Sequence, residues 1–378
     1  MPAQMKHNTL IYEGCNHLRY RLLLSTLSGK SVKITDIRSD NDDPGLREFE
    51  ISFVRLLDKL TNGSRIHINA TGTDLHYIPG LLVGDSVEHE CSTQRGISYY
   101  LEAVMALAPF CKKPVEITLK GVTNNTLDPS IDRVKASGIP ILKRFLLGDD
   151  DIQLTIKKRG APPLGGGEIH FKCPVNKALK SVQFLDNGMV SRIRGTACSI
   201  RVSPAIANRM VDSAKGIVLN FIPDIYIHTD QSRGAASGKS PGFGITLTAE
   251  STTGVFLSGE ACSLLMTTGS LPCVPEDIGK EAAMKLLDEI YRGGCVDSVF
   301  QSMTALFMAL GKKDVCKICV GPLSQTMIQF LRDLKDFFGI TFKIENVKED
   351  DDSIVAIQDQ VILTCVGIGY TNLSRRTL

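Results

Sequence analysis

The sequence predicts an α/β (α+β) protein built from βαβαββ repeats, and three observations lead to that prediction. Short apolar strand patterns alternate with segments whose apolar residues recur every three to four positions, as they do in helices. The same order of elements occurs over residues 1–82 and again over residues 83–179. Residues 274–378 carry a third set of these signals, and residues 181–273 before them hold strand and helix patterns of their own.

The composition is that of a globular protein, with 378 residues of which 43% are hydrophobic and 22% charged. No apolar run approaches the roughly 20 residues of a membrane span. The first residues show no secretory signal. The net charge of +2 means that nucleic acid would be bound by local basic clusters. The odd number of cysteines, 11, favours buried reduced thiols over a disulfide framework.

The first repeat contains the clearest helix signals in the chain. A strand at residues 8–13 precedes a helix predicted at Leu18–Leu27, and a strand follows at Val32–Arg38. Asp43 at a cap position and Pro44 behind it predict the start of the second helix. The apolar face of that helix consists of Phe49, Phe53, Leu56, Leu57 and Leu60, and Asn62-Gly63 marks its end. Two short strands, centred on Ile66 and His76, complete the unit.

The second and third repeats follow the same order. The second holds SVEHEC, GISYYLEAVMALAPF, VEITLKG and SIDRVKASGIPILKRFL, with strands near Ile152–Ile156 and Glu168–Lys172. The third holds helices at 277–291, 297–310 and 324–338 and strands at 315–320, 340–345 and 360–367. We therefore predict a large domain of residues 1–180 and 274–378 and a small inserted α/β domain at 181–273. Its segment QSRGAASGKSPGFG should be a mobile loop because it is rich in Gly and Ser.

The stretch Asp314–Phe338 is where a site is expected, because strand ends that lead into helix N-termini bind anions and carry catalytic groups in α/β folds. A short strand ends at Gly321-Pro322, and Ser324 can cap the helix that follows. Cys316 and Cys319 form a single CxxC without a second pair, and an alternating strand directs them to opposite faces. We interpret them as core residues.

Several basic residues are candidates for phosphate contact. Lys157, Lys158 and Arg159 precede the triple glycine Gly165, Gly166 and Gly167, where a ligand can approach the backbone closely. A hairpin turn with solvated basic flanks explains the same residues equally well. Three arginines near the first helix and strand are suited to bidentate phosphate contact, although each alone is more often a surface charge: Arg19, Arg21 and Arg38. The segment AASGKSP lacks the glycine spacing of a phosphate-binding P-loop.

The polar side of the last long helix offers a third group of candidates. Arg332, Asp333 and Lys335 lie there together with Asp336, which is one turn from Arg332. A solvated ion pair is the simplest interpretation. A carboxylate flanked by two cations could also assist phosphodiester cleavage, because the cations would stabilise charge on the phosphorane.

The order of motifs resembles one family, the RNA 3′-terminal phosphate cyclases, and within it the nucleolar cyclase-like branch. The resemblance extends over the whole chain. It rests on motifs that are specific only together: Ile37-Arg38 with Pro44-Gly45-Leu46, GVTNNTLDPSID (121–132), GGGE (165–168), IRG with SPAIANRM (193–210), PGFG (241–244) and GGCVDSVFQSMTALFMALG (293–311). The resemblance implies three βαβαββ repeats in a large domain, with the smaller domain inserted in the third.

The chain departs from the cyclase pattern where the resemblance places nucleotide chemistry. In cyclases a histidine near the start of the last repeat's helix attacks ATP, and here Gly321–Thr326 contains none. The other departures are these: Glu13-Gly14-Cys15-Asn16-His17 replaces a glycine-rich EGGGQ, Asp40, Asn41, Asp42 and Asp43 replace basic residues, and Ser302-Met303 replaces Asp-Gln. We therefore predict that the chain is not a cyclase and uses no cofactor and no metal.

The resemblance implies a factor in pre-rRNA processing and 40S small-subunit biogenesis. It further implies a nucleolar location, membership of the small-subunit processome, contact with pre-rRNA and binding to a nucleolar ribosome-assembly GTPase. An endoribonuclease that cleaves pre-rRNA with Arg332, Asp333 and Lys335 is the alternative. A cyclase with a displaced nucleophile would require His170 or His228 to reach the last repeat.

Overall fold

The structure, a computed structural model, describes residues 9–147, 151–263, 273–347 and 360–372. Within these ranges no helix is both long and apolar enough to cross a membrane. The strands in these ranges form four four-stranded sheets, three of them similar in strand order, and one two-stranded sheet. This arrangement confirms the predicted α/β fold class.

The first repeat forms a sheet with the strand order β1-β2-β5-β4, in which β1 and β2 are parallel. Its elements are β1 (Leu10–Glu13), α1 (Leu18–Ser28), β2 (Val32–Thr35), α2 (Glu48–Leu60), β3 (Thr61–Asn62), β4 (Arg65–Ile68), β5 (Leu75–Ile78) and β6 (Leu81–Leu82). The short strands β3 and β6 pair with each other. Gly29, in a left-handed conformation, ends α1.

Helix α2 begins at Glu48, so the predicted start at Asp43-Pro44 is wrong. The carboxylate of Glu50 accepts a hydrogen bond from the backbone N–H of Arg47 at 2.8 Å, which caps the helix one turn later. Gly45 holds the chain before it in a turn, because its φ is +87° and a Cβ there would lie 2.3 Å from the Thr71 carbonyl oxygen. Pro44 is therefore part of a loop.

The second repeat forms a sheet of the same order, β7-β8-β10-β9. Its elements are β7 (Asp85–Glu90), α3 (Ile97–Leu107), β8 (Val115–Gly121), α4 (Ile131–Arg133), α5 (Ile139–Phe145), β9 (Gln153–Lys158) and β10 (Gly167–Cys173). The single helix predicted over residues 130–146 is α4 and α5 joined by a π turn at Val134–Gly138. Gly138 allows this helix to lie against Phe300, whose ring would be 3.0 Å from a Cβ at that position.

The third repeat and the insertion follow in the chain. The elements are β11 (Gln183–Phe184), β12 (Val190–Ile200), α6 (Pro204–Val218), β13 (Ile225–Ser232), β14 (Gly242–Ser251), β15 (Phe256–Cys262), α7 (Pro275–Arg292), α8 (Gln301–Leu310), β16 (Val315–Val320), α9 (Gln325–Phe338), β17 (Lys343–Asn346) and β18 (Val361–Val366). The third repeat has the order β11-β16-β18-β17, and the insertion has β13-β12-β14-β15.

The structure shifts both predicted boundaries of the insertion. Strand β11 precedes the insertion but pairs with β16, so the insertion separates the first strand of the third repeat from its first helix. Helix α7, assigned from sequence to the third repeat, packs on β15 and α6. Gly259 and Gly279 permit this contact, because Cβ atoms there would lie 2.2 Å from the Leu286 nitrogen and 2.3 Å from the Met210 carbonyl oxygen. The insertion thus runs from β12 to α7.

One partly buried arginine joins the second repeat, the insertion and the third repeat. Arg133 of α4 donates hydrogen bonds to the Ser258 hydroxyl of β15 at 2.9 Å and to the Asp297 carboxylate before α8 at 2.8 Å. Asp297, which is 0% exposed, also accepts from the Ser258 backbone N–H at 2.9 Å. A neighbouring bond from the Ser130 N–H to Glu260 reinforces the junction. The three parts of the chain therefore share one polar network.

Removal of this guanidinium should destabilise the whole protein. We expect Arg133→Met to lower the free energy of unfolding by about 3–5 kcal/mol, because Asp297 would remain buried without its cation. Urea denaturation measures the change. Arg209→Met is the matched control, since Arg209 forms an exposed ion pair with Glu276 and its loss should have little effect. Equal stability of the two variants would contradict the role assigned to Arg133.

Candidate functional site

A groove of about 360 Å³ lies between the β1–α1 turn and the N-terminal half of α9. We call it the α1/α9 groove. Its lining is mostly polar and consists of Glu13, Asn16, His17, Arg21, Gln325, Thr326, Ile328, Gln329 and Arg332. The stretch Asp314–Phe338 predicted to carry a site therefore forms one wall, and the first repeat supplies the other.

Helix α9 is held as the sequence predicts. The Ser324 hydroxyl accepts a hydrogen bond from the Met327 backbone N–H at 3.1 Å, which confirms the predicted cap. Met327, Phe330 and Leu334 are buried on one face. This packing fixes the position of the polar residues that face α1.

Asp333 is buried, which corrects the prediction that it lies on the solvated side of α9. Its side chain is 0% exposed and faces α1. Gln329 Nε2 donates to Asp333 Oδ1 at 3.0 Å, and Arg21 Nε lies 3.9 Å from Asp333 Oδ2. Burial raises the pKa of Asp333, and the Gln329 hydrogen bond and the Arg21 charge offset only part of that shift. The buried carboxylate is thus a poorly compensated charge.

Arg21 is the buried cation of the groove. It is 7% exposed, and its guanidinium lies over the Tyr12 ring at 4.0 Å from the ring centre. Arg21 Nε and Nη1 have no hydrogen-bond partner, and neither has Asp333 Oδ2. Native proteins leave few buried polar atoms unsatisfied, and those that occur concentrate where a ligand or a function accounts for them. The α1/α9 groove is therefore the candidate site.

His17 is the functional candidate that sequence reasoning missed. It lies in the groove at the N-terminus of α1, with a left-handed backbone at φ +59°. Burial and the nearby Arg21 charge lower the pKa of this imidazole, although Asp333 opposes the shift. One feature of the sequence could have pointed to His17. The segment Glu13-Gly14-Cys15-Asn16-His17 replaces a glycine-rich segment of the cyclases and leads directly into α1.

The turn before α9 carries no imidazole. Residues 321–326 place Pro322, Leu323, Ser324 and Gln325 at the entrance of the helix. The loop that leads to α8 supports this turn from behind, since a Cβ on Gly294 would lie 2.5 Å from the Gly321 nitrogen. The turn is thus well supported but holds no group comparable to a histidine nucleophile.

Of the three predicted arginines, the structure brings only Arg21 into the groove. Arg19 pairs with Glu102 at 2.7 Å and donates to the Tyr99 carbonyl at 2.8 Å. Arg38 forms two hydrogen bonds of 2.8 Å with the Glu50 carboxylate. These two guanidinium groups are therefore occupied by protein carboxylates.

The second group of predicted anion-binding residues lies elsewhere, between the second repeat and the insertion. Arg159 is 4% exposed and donates to Asp132 at 2.8 Å and to Asp230 at 2.6 Å. Lys157 lies 3.5 Å from Glu168, and Lys158 is exposed. Arg159 therefore serves as a link between α4 and β13.

The glycines Gly165, Gly166 and Gly167 contact protein backbone. The Lys239 N–H donates to the Gly165 carbonyl at 2.9 Å, and the Gly238 N–H donates to the Arg159 carbonyl at 2.6 Å. A Cβ on Gly166 would lie 3.1 Å from the Lys239 nitrogen. The segment 231–244, predicted to be a mobile loop, is thus docked on these glycines, because the absence of side chains lets the two backbones approach.

The remaining candidates are separated from one another. Arg332 and Lys335 are exposed, whereas Asp333 faces α1. Asp336 accepts a hydrogen bond from the Tyr12 hydroxyl at 3.2 Å, and among the described residues it forms no ion pair with Arg332. Neither His170 nor His228 lines the α1/α9 groove. No group of three or more His, Cys, Asp or Glu side chains suited to a metal occurs in the described ranges.

Comparison with known proteins yields one family and several full-length relatives. A family profile described as RNA 3′-terminal phosphate cyclase matches residues 10–344. An RNA 3′-terminal phosphate cyclase-like protein of Mus musculus is 56% identical over 368 residues, which cover 97% of this chain and 98% of that protein. The Schizosaccharomyces pombe "rRNA processing protein rcl1" is 44% identical over 369 residues, 97% of each chain. A probable cyclase-like protein of Drosophila melanogaster is 52% identical over 382 residues, covering both chains completely.

The buried carboxylate at the groove should lower the stability of the protein at neutral pH. Because the pKa of Asp333 is raised, the folded protein binds this proton at a higher pH than the unfolded chain. The resulting stability is complete below the ordinary carboxyl value of 3.8 and is lost as the pH rises through the raised pKa. We therefore expect Asp333→Asn to be at least as stable as the wild type at neutral pH, with an advantage that shrinks toward acidic pH.

Urea denaturation at several pH values tests this expectation. Asp212→Asn, a change at an exposed position of α6, is the control, and its stability should differ little from that of the wild type. Strong destabilisation by Asp333→Asn at neutral pH would mean that the carboxylate is well compensated, contrary to the geometry.

Proposed function

The chain belongs to the RNA 3′-terminal phosphate cyclase family, and we propose that it acts in rRNA processing without cyclase activity. The name of the Schizosaccharomyces pombe relative, which is similar over its full length, supports the rRNA-processing role. The α1/α9 groove supports the second part of the proposal, because it holds buried polar groups but no imidazole in the turn that leads into α9.

The missing nucleophile is the observation that carries this proposal. The covalent step expected of a cyclase requires a group with an accessible lone pair near neutral pH, positioned at the entrance of α9. Pro322, Leu323, Ser324 and Gln325 supply none. His17 lies on the opposite wall, beside the Arg21 charge, and its neutral form is favoured by burial. We assign it to the wall of a binding groove.

The geometry gives no support to an endoribonuclease built on Arg332, Asp333 and Lys335. A general base must reach the hydroxyl whose proton it removes. Asp333 is fully buried against α1, while Arg332 and Lys335 face solvent. The carboxylate would have to leave its packed position to meet a phosphodiester. A binding and assembly role requires no such rearrangement.

The proposal includes partners and a location. We place the chain in the nucleolus as a component of the small-subunit processome, where it binds a ribosome-assembly GTPase and contacts pre-rRNA during 40S biogenesis. The cations of the α1/α9 groove, Arg21 and Arg332, are the candidates for contact with an RNA phosphate, because Arg19 and Arg38 are already paired with glutamates. Co-purification of the GTPase with the intact chain, but not with surface variants, tests the protein partner.

The purified chain should form no covalent adenylate. Incubation with ATP labelled at the α phosphate, followed by denaturing electrophoresis, is expected to leave the protein unlabelled, and an active cyclase serves as the positive control. A labelled band would contradict the proposal. Loss of that band in His17→Asn would then identify His17 as the nucleophile.

Arg332 should contribute to RNA binding through charge. We expect Arg332→Gln to weaken binding of a single-stranded RNA at low salt and to reduce the slope of log K against log salt by about 0.7, the value for one neutralised phosphate on a single strand. Fluorescence anisotropy across a salt series measures both quantities. Arg209→Gln, which removes an exposed arginine of the insertion, is the control, and equal effects of the two variants would exclude a specific contact in the groove.

A further inference from the structure

Two buried thiols meet behind the turn that leads into α9. The backbone N–H of Cys295 donates to the Cys319 carbonyl at 2.8 Å, so the two residues lie side by side. The two thiols also interact with each other, and this interaction shifts the pKa of both. Cys295 is 2% exposed and Cys319 is 4% exposed. Neither cysteine lines the α1/α9 groove, and neither has a role in the function proposed above.

The surroundings of the pair favour a reactive Cys319. The hydrogen bond from Cys295 lowers the pKa of Cys319, since a thiolate is the stronger acceptor, and the same bond together with burial raises the pKa of Cys295. A thiolate is the form of cysteine that reacts with oxidants. Cys319 is therefore suited to react first, and Cys295 is suited to resolve the product.

Gln360 adds an independent observation. Its Oε1 accepts a weak hydrogen bond from the Cys319 thiol at 3.6 Å, while its Nε2 is buried without a partner. Rotation of the side-chain amide would exchange these two atoms and direct an N–H donor at the sulfur. That donor would stabilise a thiolate and would satisfy the unpaired Nε2.

We propose that Cys295 and Cys319 form an oxidative modification site, which a hydroperoxide closes to an intramolecular disulfide. In the first step the Cys319 sulfur attacks one peroxide oxygen and the O–O bond breaks. For hydrogen peroxide this step gives a sulfenic acid and one water. In the second step the Cys295 sulfur attacks the sulfenic sulfur, the S–O bond breaks, and a second water leaves with the two remaining protons. The two thiols are oxidised by two electrons and the peroxide is reduced by two.

A second cysteine pair on β16 provides an internal comparison. Cys316 and Cys365 are directly opposite in the β16–β18 ladder and are both buried. Burial raises the pKa of Cys316 even though its sulfur accepts a hydrogen bond from the Val182 N–H at 3.3 Å, and burial raises the pKa of Cys365 to about 12. Neither thiol has a lowered pKa. The two residues are close enough to react, but their raised pKa values disfavour the reactive thiolate form.

The disulfide would connect two parts of the chain that already touch. Gly294 packs against Gly321, and Asp297 of the Arg133 network follows Cys295 closely in sequence. The bond would therefore fasten the loop at the exit of the insertion to the strand that ends at the α1/α9 groove. Oxidation would restrict motion of that loop relative to the groove.

Peptide mapping of the intact, full-length chain tests this proposal. The protein is treated with hydrogen peroxide, remaining thiols are alkylated, and the chain is digested with trypsin under non-reducing conditions. We expect a cross-linked product of residues 293–312 and 318–332 that forms before any product containing Cys316 and disappears on treatment with dithiothreitol. In Cys295→Ser the cross-link should be absent and Cys319 should instead be trapped as a sulfenic acid by dimedone.

Two outcomes would overturn the proposal. The first is full alkylation of Cys295 and Cys319 after peroxide treatment and unfolding, at doses that oxidise the exposed methionines. The second is a product that joins Cys316 to Cys365 at an equal or faster rate. The wild-type experiment decides between these outcomes even if the serine variant does not fold.

Discussion

The hydrogen bonds of Arg133 are the interaction on which the arrangement of the whole molecule depends. They connect α4 of the second repeat, β15 of the insertion and the Asp297 turn before α8. Each repeat is a small sheet with helices on one face, and such units have to bury their helical faces against each other to be stable. The insertion interrupts the third unit after its first strand. The partly buried charge of Arg133 contacts all three parts and holds the interrupted repeat against the others.

This constraint explains motifs that resemble ligand-binding sequences. In GVTNNTLDPSID the structure uses Ser130 to bind Glu260 and Asp132 to hold Arg159. The glycines at 165–167 accommodate the backbone of residues 237–240. Both motifs therefore act in the attachment of the insertion. Arg21 and Asp333, by contrast, have buried polar atoms without a hydrogen-bond partner, which neither sequence pattern nor fold stability requires.

The sequence was sufficient to predict the repeats, the strand-turn-helix at 314–338 and its Ser324 cap, because these depend on local periodicity and capping. The sequence was insufficient where a contact between residues far apart in the chain determines the local structure. The two-residue strand Gln183–Phe184 has no pattern of its own and is defined by its pairing with β16. Asp333 follows a polar pattern on α9 but is buried because Arg21, on a helix of another repeat, lies opposite. His17 lies in the groove because α1 packs on α9. The spacing of residues within either helix does not reveal that contact.

We propose that this member of the cyclase family works in rRNA processing with a groove that binds RNA but does no nucleotide chemistry. The most direct measurement is the pre-rRNA pattern of cells whose only copy of the chain carries His17→Asn at normal protein levels. Loss of the chain should leave unprocessed precursors, and the His17→Asn variant should restore processing. Precursor accumulation with the variant, at the level found without the chain, would contradict it, because it would show that an imidazole in the groove is essential.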